Sequence, residues 1–401
     1  MAKGISTKVA MMLLPGVISG TAVASGFQLQ EQSASGIGNA FAGSAAVAEN
    51  ASTIYFNPAG MTQLQGVQVS GGVAAIGPSY KFSNAASSST GGNGGDAGSW
   101  AGVPNGYASW GVTKDLYLGL GISAPFGLKT EYAAGWVGQR QSIKFDIKTI
   151  NLNPSVAYRV NDAVSVGFGL NWQKIEAEYV RAVNAAGTQI KLDTDDSSWG
   201  WNAGALFTLS PSTKVGVSYR SAIKHKTTGT FTGALNANAA ADLKLPDTFI
   251  MSVTQKLSDK WEMLGDVSRT GWSSVPKVFI MNTTSSTLAQ TLDTDFRNTW
   301  RVALGANYQY TEALKLKFGI AYDQSPVRQG ETRLVSLPDT NRVWFSTGGQ
   351  YRFSKASTLD LGVAYLYLRD PSINNYSNGV LVNGTYQGNI WIVGAQYSHA
   401  F

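Results

Sequence analysis

Alternation with a period of two, sustained over segments of about ten residues, restricts this chain more than any other feature. Val164, Val166, Phe168, Leu170 and Trp172 alternate with Ser165, Gly167, Gly169, Asn171 and Gln173. The same pattern runs through Trp199, Trp201, Ala203, Ala205, Phe207 and Leu209, and through Val215, Val217 and Tyr219. It returns at 300–308, 314–322, 359–367 and 391–401. Successive side chains of a strand point to opposite faces, so each segment carries one greasy face and one small or polar face. The chain is therefore read as all-β.

Alternation alone suits a soluble sandwich as well as a membrane barrel, so three further features decide between them. Aromatic residues sit at the strand ends, where interfacial girdles require them. Short turns such as Ser210-Pro211-Ser212-Thr213 and Ser354-Lys355-Ala356-Ser357 alternate with long polar connections at 83–100, 184–198, 225–247, 273–298, 325–342 and 369–388. Lys3 and Lys8 precede an apolar stretch from Val9 to Ala24 that ends in the small-residue site Ala22-Val23-Ala24. That is a secretory leader over residues 1–24, interrupted by Pro15, Gly16 and Gly20 and too short to anchor.

Composition supports the membrane barrel. Only 14% of residues are charged, against the ~25% usual for soluble domains, yet no apolar run reaches the roughly 18 residues of a spanning helix. The 11 Trp, 17 Tyr and 16 Phe exclude a disordered chain. Without cysteine there is no disulfide staple. The formal charge of +6 is spread along the chain and leaves no nucleic-acid footprint.

The expectation is an antiparallel transmembrane β-barrel over residues 67–401 in a Gram-negative outer membrane, surrounded by lipid and lipopolysaccharide. At roughly 24 residues per strand and connection, it has about 14 strands. The last strand carries Trp391, Val393, Tyr397 and Phe401 in register, a pattern that barrel-assembly machinery reads. Residues 25–66 do not alternate; they are rich in Gly, Ala and Ser, with Glu31 and Glu49 as the only acids. Phe27, Leu29, Ile37, Phe41, Ile54, Tyr55 and Phe56 are too apolar to leave in water, so this segment is expected to plug the lumen.

Several ordered motifs then carry a resemblance. Gly26-Phe27-Gln28-Leu29, Gly36-Ile37-Gly38, Ala40-Phe41-Ala42-Gly43 and Asn57-Pro58-Ala59 resemble the N-terminal hatch of the FadL family of outer-membrane long-chain fatty acid transport proteins. Trp199-Gly200-Trp201-Asn202, Tyr219-Arg220-Ser221, Leu245-Pro246, Ser325-Pro326-Val327, and Pro338-Asp339 with Arg342 and Trp344 extend the likeness over nearly the whole chain. The resemblance implies a monomeric barrel of 14 strands, plugged by the hatch. It would pass hydrophobic molecules inward by diffusion through an opening at an inward kink of the third strand, without a cofactor.

The resemblance also implies site residues. Arg181 falls where the family places a basic contact to the ligand head group, and its odd number matches the inward set Ser165 to Gln173 if no bulge intervenes. A second basic contact would fall at Phe279, leaving Lys277 as the nearest cation. Phe27 and Leu29 resemble hatch residues that reach the bound tail. Asn57, Pro58 and Ala59 shape the plug, Pro58 restricting the backbone of Asn57 and the Asn amide serving buried backbone groups. Ser123, Pro125, Phe126 and Gly127 match the kinked third strand, where Pro lacks a ladder donor and Gly permits a bend. These form the expected lateral gate.

Two other readings stay open: an importer of aromatic or aliphatic hydrocarbons on the same scaffold, and a structural or adhesive surface barrel. An enzyme is not indicated, because His225 and His399 are the only histidines and no nucleophile motif accompanies them. Asp193, Asp195 and Asp196 are read as a solvated acidic stretch, with no metal assigned.

Overall fold

The computed structural model describes residues 26–401, so the leader lies outside them. One antiparallel sheet closes on itself as 14 staves. The first strand, Val67–Asn84, pairs with the second, Ala101–Gly111, on one side and with the last, Val380–Ala400, on the other. The third consists of Leu116–Ser123 and Gly127–Glu131, followed by Lys144–Arg159, Val164–Ala182 and Gln189–Ser210. Four staves are then each built from two segments: Thr213–Arg220 with Ile223–Gly233, Ala237–Leu245 with Thr248–Lys256, Trp261–Thr270 with Lys277–Asn282, and Thr287–Asp293 with Thr299–Gln309. Leu314–Asp323, Arg342–Arg352 and Ser357–Leu368 complete the wall before the last strand.

Turns of a few residues, such as 112–115, 160–163 and 310–313, lie at one end together with Val67 and Ala400. The long connections lie at the other. Bacterial barrels keep short turns in the periplasm and long loops outside, which orients the molecule.

Four of the expected loops are largely strand. Gln189–Ser210 begins inside 184–198, while Ile223–Gly233 and Ala237–Leu245 form a hairpin in 225–247. Another hairpin, Lys277–Asn282 with Thr287–Asp293, occupies most of 273–298, and the last strand begins at Val380. A strand of 22 residues is twice the 9–11 needed to span a membrane. Its outer half stands in water, where apolar alternation is unnecessary and only the ladder and residues such as Thr227, Thr228 and Thr230 favour extension.

Within the membrane belt, apolar residues are exposed and polar ones buried. Phe168, Leu170, Met251, Leu304, Phe345 and Trp391 face outward, whereas Asn171, Gln173, Asn202, Asp266, Arg301, Asp360 and Gln396 are buried. A greasy exterior this extensive is stable only against lipid.

The buried polar faces meet residues 26–66, which form single-turn helices at Ala34–Ile37 and Thr53–Phe56 and a 3₁₀ turn at Pro58–Gln63. Glycines on the facing strands admit this backbone. A Cβ on Gly216 would lie 2.0 Å from the Ala45 carbonyl oxygen, and one on Gly167 2.4 Å from the Ala59 nitrogen. Glu49 is held by Lys315 at 2.7 Å and Lys317 at 3.2 Å, and Lys317 also reaches Asp360 at 3.0 Å. Burial alone would raise the Glu49 carboxyl, but the two lysines hold it well below the usual carboxylate range.

Candidate functional site

The third strand breaks at 124–126. Its pairing with the second strand ends at Gly106↔Ile122, while pairing with the fourth runs to Ser123↔Asn151 and resumes at Gly127↔Lys148. Three residues of one strand thus oppose two of its neighbour, as in a bulge. Ala101–Gly111 pairs with the third strand only through Gly106 to Gly111, so among the described residues no ladder joins Ala101–Asn105 to Gly127–Glu131. Pro125 lies within the break and Gly127 ends it, as expected from their backbone chemistry.

Residues 27–29 fill the place of the lost partner. Leu29 N–H donates to the Pro125 carbonyl at 2.8 Å, and Gly127 N–H donates to the Phe27 carbonyl at 2.9 Å. Gln28 and Phe126 stand opposite each other in this short antiparallel bridge. The Gln28 amide crosses the lumen, donating to Thr248 Oγ1 at 3.0 Å and accepting from Thr270 Oγ1 at 2.9 Å. Gln32 donates to the Ala124 carbonyl at 2.8 Å and accepts from Ala124 N–H at 3.0 Å. The arm formed by residues 26–32 is therefore stitched to the break from both ends.

An aromatic nest surrounds the arm. The Phe27 ring lies 4.7 Å from that of Trp272 and 5.9 Å from that of Phe126, and Trp272 lies 5.7 Å from Phe296. Trp272 is fully buried, and its indole N–H has no hydrogen-bond partner among the described residues. It comes from the short 3₁₀ turn Trp272–Ser274, where the ninth stave is interrupted. Gly26 has φ +64°, and a Cβ there would stand 2.7 Å from the Trp272 ring. Trp272 is not among the residues expected from the sequence; the available signal was a bulky aromatic next to Gly271, at a loss of alternation.

Arg181 keeps the inward parity without a bulge, since the fifth and sixth strands remain in register from Val164↔Phe207 to Ala182↔Gln189. It is half-buried toward the extracellular end, and its Nε donates to Gln290 Oε1 at 2.9 Å. Gln290 in turn donates to the Tyr179 hydroxyl at 3.1 Å. Beside them lies an apolar cluster of Tyr179, Ile190, Leu192, Phe231 and Ile280. A cation at the edge of a greasy patch can hold an amphiphile by both ends.

Lys277 does not join this group. It lies three residues from the buried Ile280, hence on the opposite face of its strand, and pairs with Asp293 at 3.1 Å in the open. Asn57 is fully buried and binds backbone only: Nδ2 donates to the Ala45 and Ala205 carbonyls at 2.7 and 3.0 Å, and Oδ1 accepts from Ala59 N–H at 3.1 Å.

His225 lies in a strand, buried between Asp196 at 2.9 Å and Gln173 at 3.1 Å. Asp193 and Asp195 belong to a ladder with Lys191 and Lys174. No group of three or more metal-ligating His, Cys, Asp or Glu side chains occurs among the described residues.

Comparison with known proteins agrees with this architecture. Residues 16–401 match the profile of the outer membrane protein transport protein family, OMPP1/FadL/TodX. The chain is 30% identical over 442 residues to the long-chain fatty acid transport protein of Salmonella typhi, covering 100% of this chain and 99% of that one. It is 32% identical over 404 residues to outer membrane protein P1 of Haemophilus influenzae, covering 87% of each. Its fold superposes on the crystal structure of a FadL homologue from Pseudomonas aeruginosa with a TM-score of 0.88 at 20% identity, covering 94% of this chain and 100% of that one. For the Pseudomonas putida toluene transporter TodX the TM-score is 0.72 at 16% identity, with 94% and 100% covered. The chain belongs to the OMPP1/FadL/TodX family of outer-membrane transport proteins for hydrophobic compounds.

Proposed function

We propose that this protein takes up long-chain fatty acids by passive diffusion: extracellular capture, displacement of the N-terminal arm, and lateral release into the bilayer at the break in the third strand. Residues 25–66 act as the plug. The observation that carries the reading is the stitching of Leu29 and Phe27 to Pro125 and Gly127, because the arm that closes the lumen also holds the inturned strand. Moving one frees the other.

The energetics suit exchange. Burying an aromatic side chain such as Phe27 contributes about 2–3 kcal/mol, and each buried methylene about 0.8 kcal/mol. An acyl chain therefore needs only three or four methylenes in the Trp272 nest to replace the ring. Arg181 is assigned to the carboxylate, with the Tyr179, Phe231 and Ile280 cluster receiving the tail at capture. Phe27 and Leu29 make the later tail contacts, and Asn57-Pro58-Ala59 positions the plug without touching ligand. The barrel works as a monomer among lipid and lipopolysaccharide, and Phe401 serves recognition by assembly machinery.

Calorimetric binding of oleate, methyl oleate and toluene, to wild type and Arg181→Ala in detergent, tests the reading. Preference for oleate over its ester, lost in the variant, is expected. Tight toluene binding indifferent to Arg181 would instead favour a hydrocarbon importer. The outward position of Lys277, which takes that cation away from the capture site, is the observation on that side.

A further inference from the structure

Glu31 is completely buried, and neither carboxyl oxygen meets a hydrogen-bond donor among the described residues. A carboxylate withdrawn from water normally gathers several N–H groups, since without them burial costs several kcal/mol. Charge faces it instead: Arg301 on the tenth stave and Arg342 on the twelfth, with Asp323 on the eleventh and Tyr55 on the plug segment. Both arginines are buried and keep N–H groups without partners, Nε of Arg301 and Nε and Nη1 of Arg342. Their other ties are internal. Arg301 Nη2 donates to the Ala40 carbonyl at 2.6 Å, its guanidinium lies 5.0 Å over the Trp344 ring, and Arg342 Nη2 binds Asp339.

We propose that this chamber is a carboxylate-exchange site. Glu31 is a resident carboxyl that holds the place of a ligand head group, and an anionic amphiphile entering the lumen takes its place against Arg301 and Arg342. Planar guanidiniums with open donors suit an oxyanion that can approach freely, which a side chain fixed to the plug does not. The exchange deepens the fatty acid reading and rests on it.

The chamber is tied to the arm on both sides of Glu31. Leu29 is bonded to Pro125 and Gln32 to Ala124, so moving Glu31 strains both bonds. Gly26 N–H donates at 3.0 Å to Asp339, the residue that also binds Arg342. An anion arriving at Arg342 thus acts on both Gly26 and Glu31. A neutral hydrocarbon offers no charge to exchange, so anions release the arm selectively.

Hexadecanesulfonate tests this, because it stays ionised throughout the pH range used, with hexadecanol as the uncharged control. Both are titrated calorimetrically into the purified barrel in neutral detergent at pH 6 and 8.5. Wild type is expected to bind the sulfonate roughly fivefold more weakly at pH 6 than at pH 8.5, because Glu31 docks with a proton at pH 6 and must release it to leave the chamber. Glu31→Gln should bind it at the acid-pH affinity at both values, Arg301→Gln should lose sulfonate but not hexadecanol affinity, and heat-modifiable electrophoretic mobility reports that each variant is folded. Equal sulfonate affinity in wild type and Glu31→Gln, unchanged with pH, would overturn the exchange while leaving the fatty acid reading intact. Hexadecanol binding with no sulfonate binding to either protein would overturn that reading as well.

Discussion

Leu29 N–H and the Pro125 carbonyl, 2.8 Å apart, join the plug segment to the barrel wall where the third strand leaves its neighbour. With the reciprocal bond from Gly127 to Phe27, this makes the arm a surrogate strand of one bridge. Two such backbone bonds contribute only about 1–3 kcal/mol, well within what a bound acyl chain can offset.

Filling the break should slow passage without abolishing capture. A Cβ on Gly127 would lie 3.1 Å from Leu29 Cδ1, a flexible contact that yields to a methyl group but not to a large ring. Gly127→Trp is expected to reduce oleate uptake by cells about tenfold, or 1.4 kcal/mol in rate. Calorimetric affinity should stay near the wild-type value; undiminished uptake would remove the gate from this position.

Asn57→Ala should loosen the plug and spare the barrel. The change leaves the Ala45 carbonyl and Ala59 N–H without their side-chain partner, at about 1–3 kcal/mol for each buried group left unmet. Hydrogen exchange over residues 45–60 should accelerate while heat-modifiable mobility is kept. Protection equal to wild type would show that Asn57 is dispensable.

Breaking the Glu49 network should act on the plug body and not on the arm. Glu49→Gln takes the counter-charge from Lys315 and leaves the buried Lys317 with Asp360 alone, at less than the about 3–5 kcal/mol of a fully unpaired buried charge. Protection is expected to fall around residues 47–53 and to persist at 27–32. Simultaneous loss in both regions would mean that the plug moves as one unit.

The arm should loosen as pH rises. Burial pushes the Glu31 carboxyl up to about 7 from 4.5, despite its own backbone N–H and the Arg342 and Arg301 charges nearby. The folded state therefore holds a proton that the free arm releases, so docking is strongest below about pH 4.5 and weakens through pH 7. At most about 3 kcal/mol is involved. Protection factors for residues 27–32 should drop between pH 6 and 8.5 in wild type and stay level in Glu31→Gln. An identical drop in the variant would assign the effect to another group.

The membrane belt was legible because lipid on one side and a plug on the other force strict alternation, as in Val164 to Trp172. The extracellular hairpins were not, since Ile223–Gly233 and Ala237–Leu245 have water on one face and carry no apolar period. Arg181 was placed correctly on the inward face by counting parity. Lys277 came from the resemblance alone, as the cation nearest Phe279, and no parity could be counted to it across the interruption at Trp272–Ser274. Glu31, Arg301 and Arg342 are far apart in sequence, and only closure of the barrel brings them together.

The central claim is that the arm must leave the third strand for ligand to pass. Gln28 and Phe126 form a non-hydrogen-bonded antiparallel pair, a geometry with short Cα separation that accepts a disulfide. The chain has no cysteine of its own, so Gln28→Cys with Phe126→Cys gives a single reversible lock. Oleate uptake by cells producing this variant is predicted to fall to background when oxidised and to recover on reduction. Undiminished uptake with the lock closed would contradict the account.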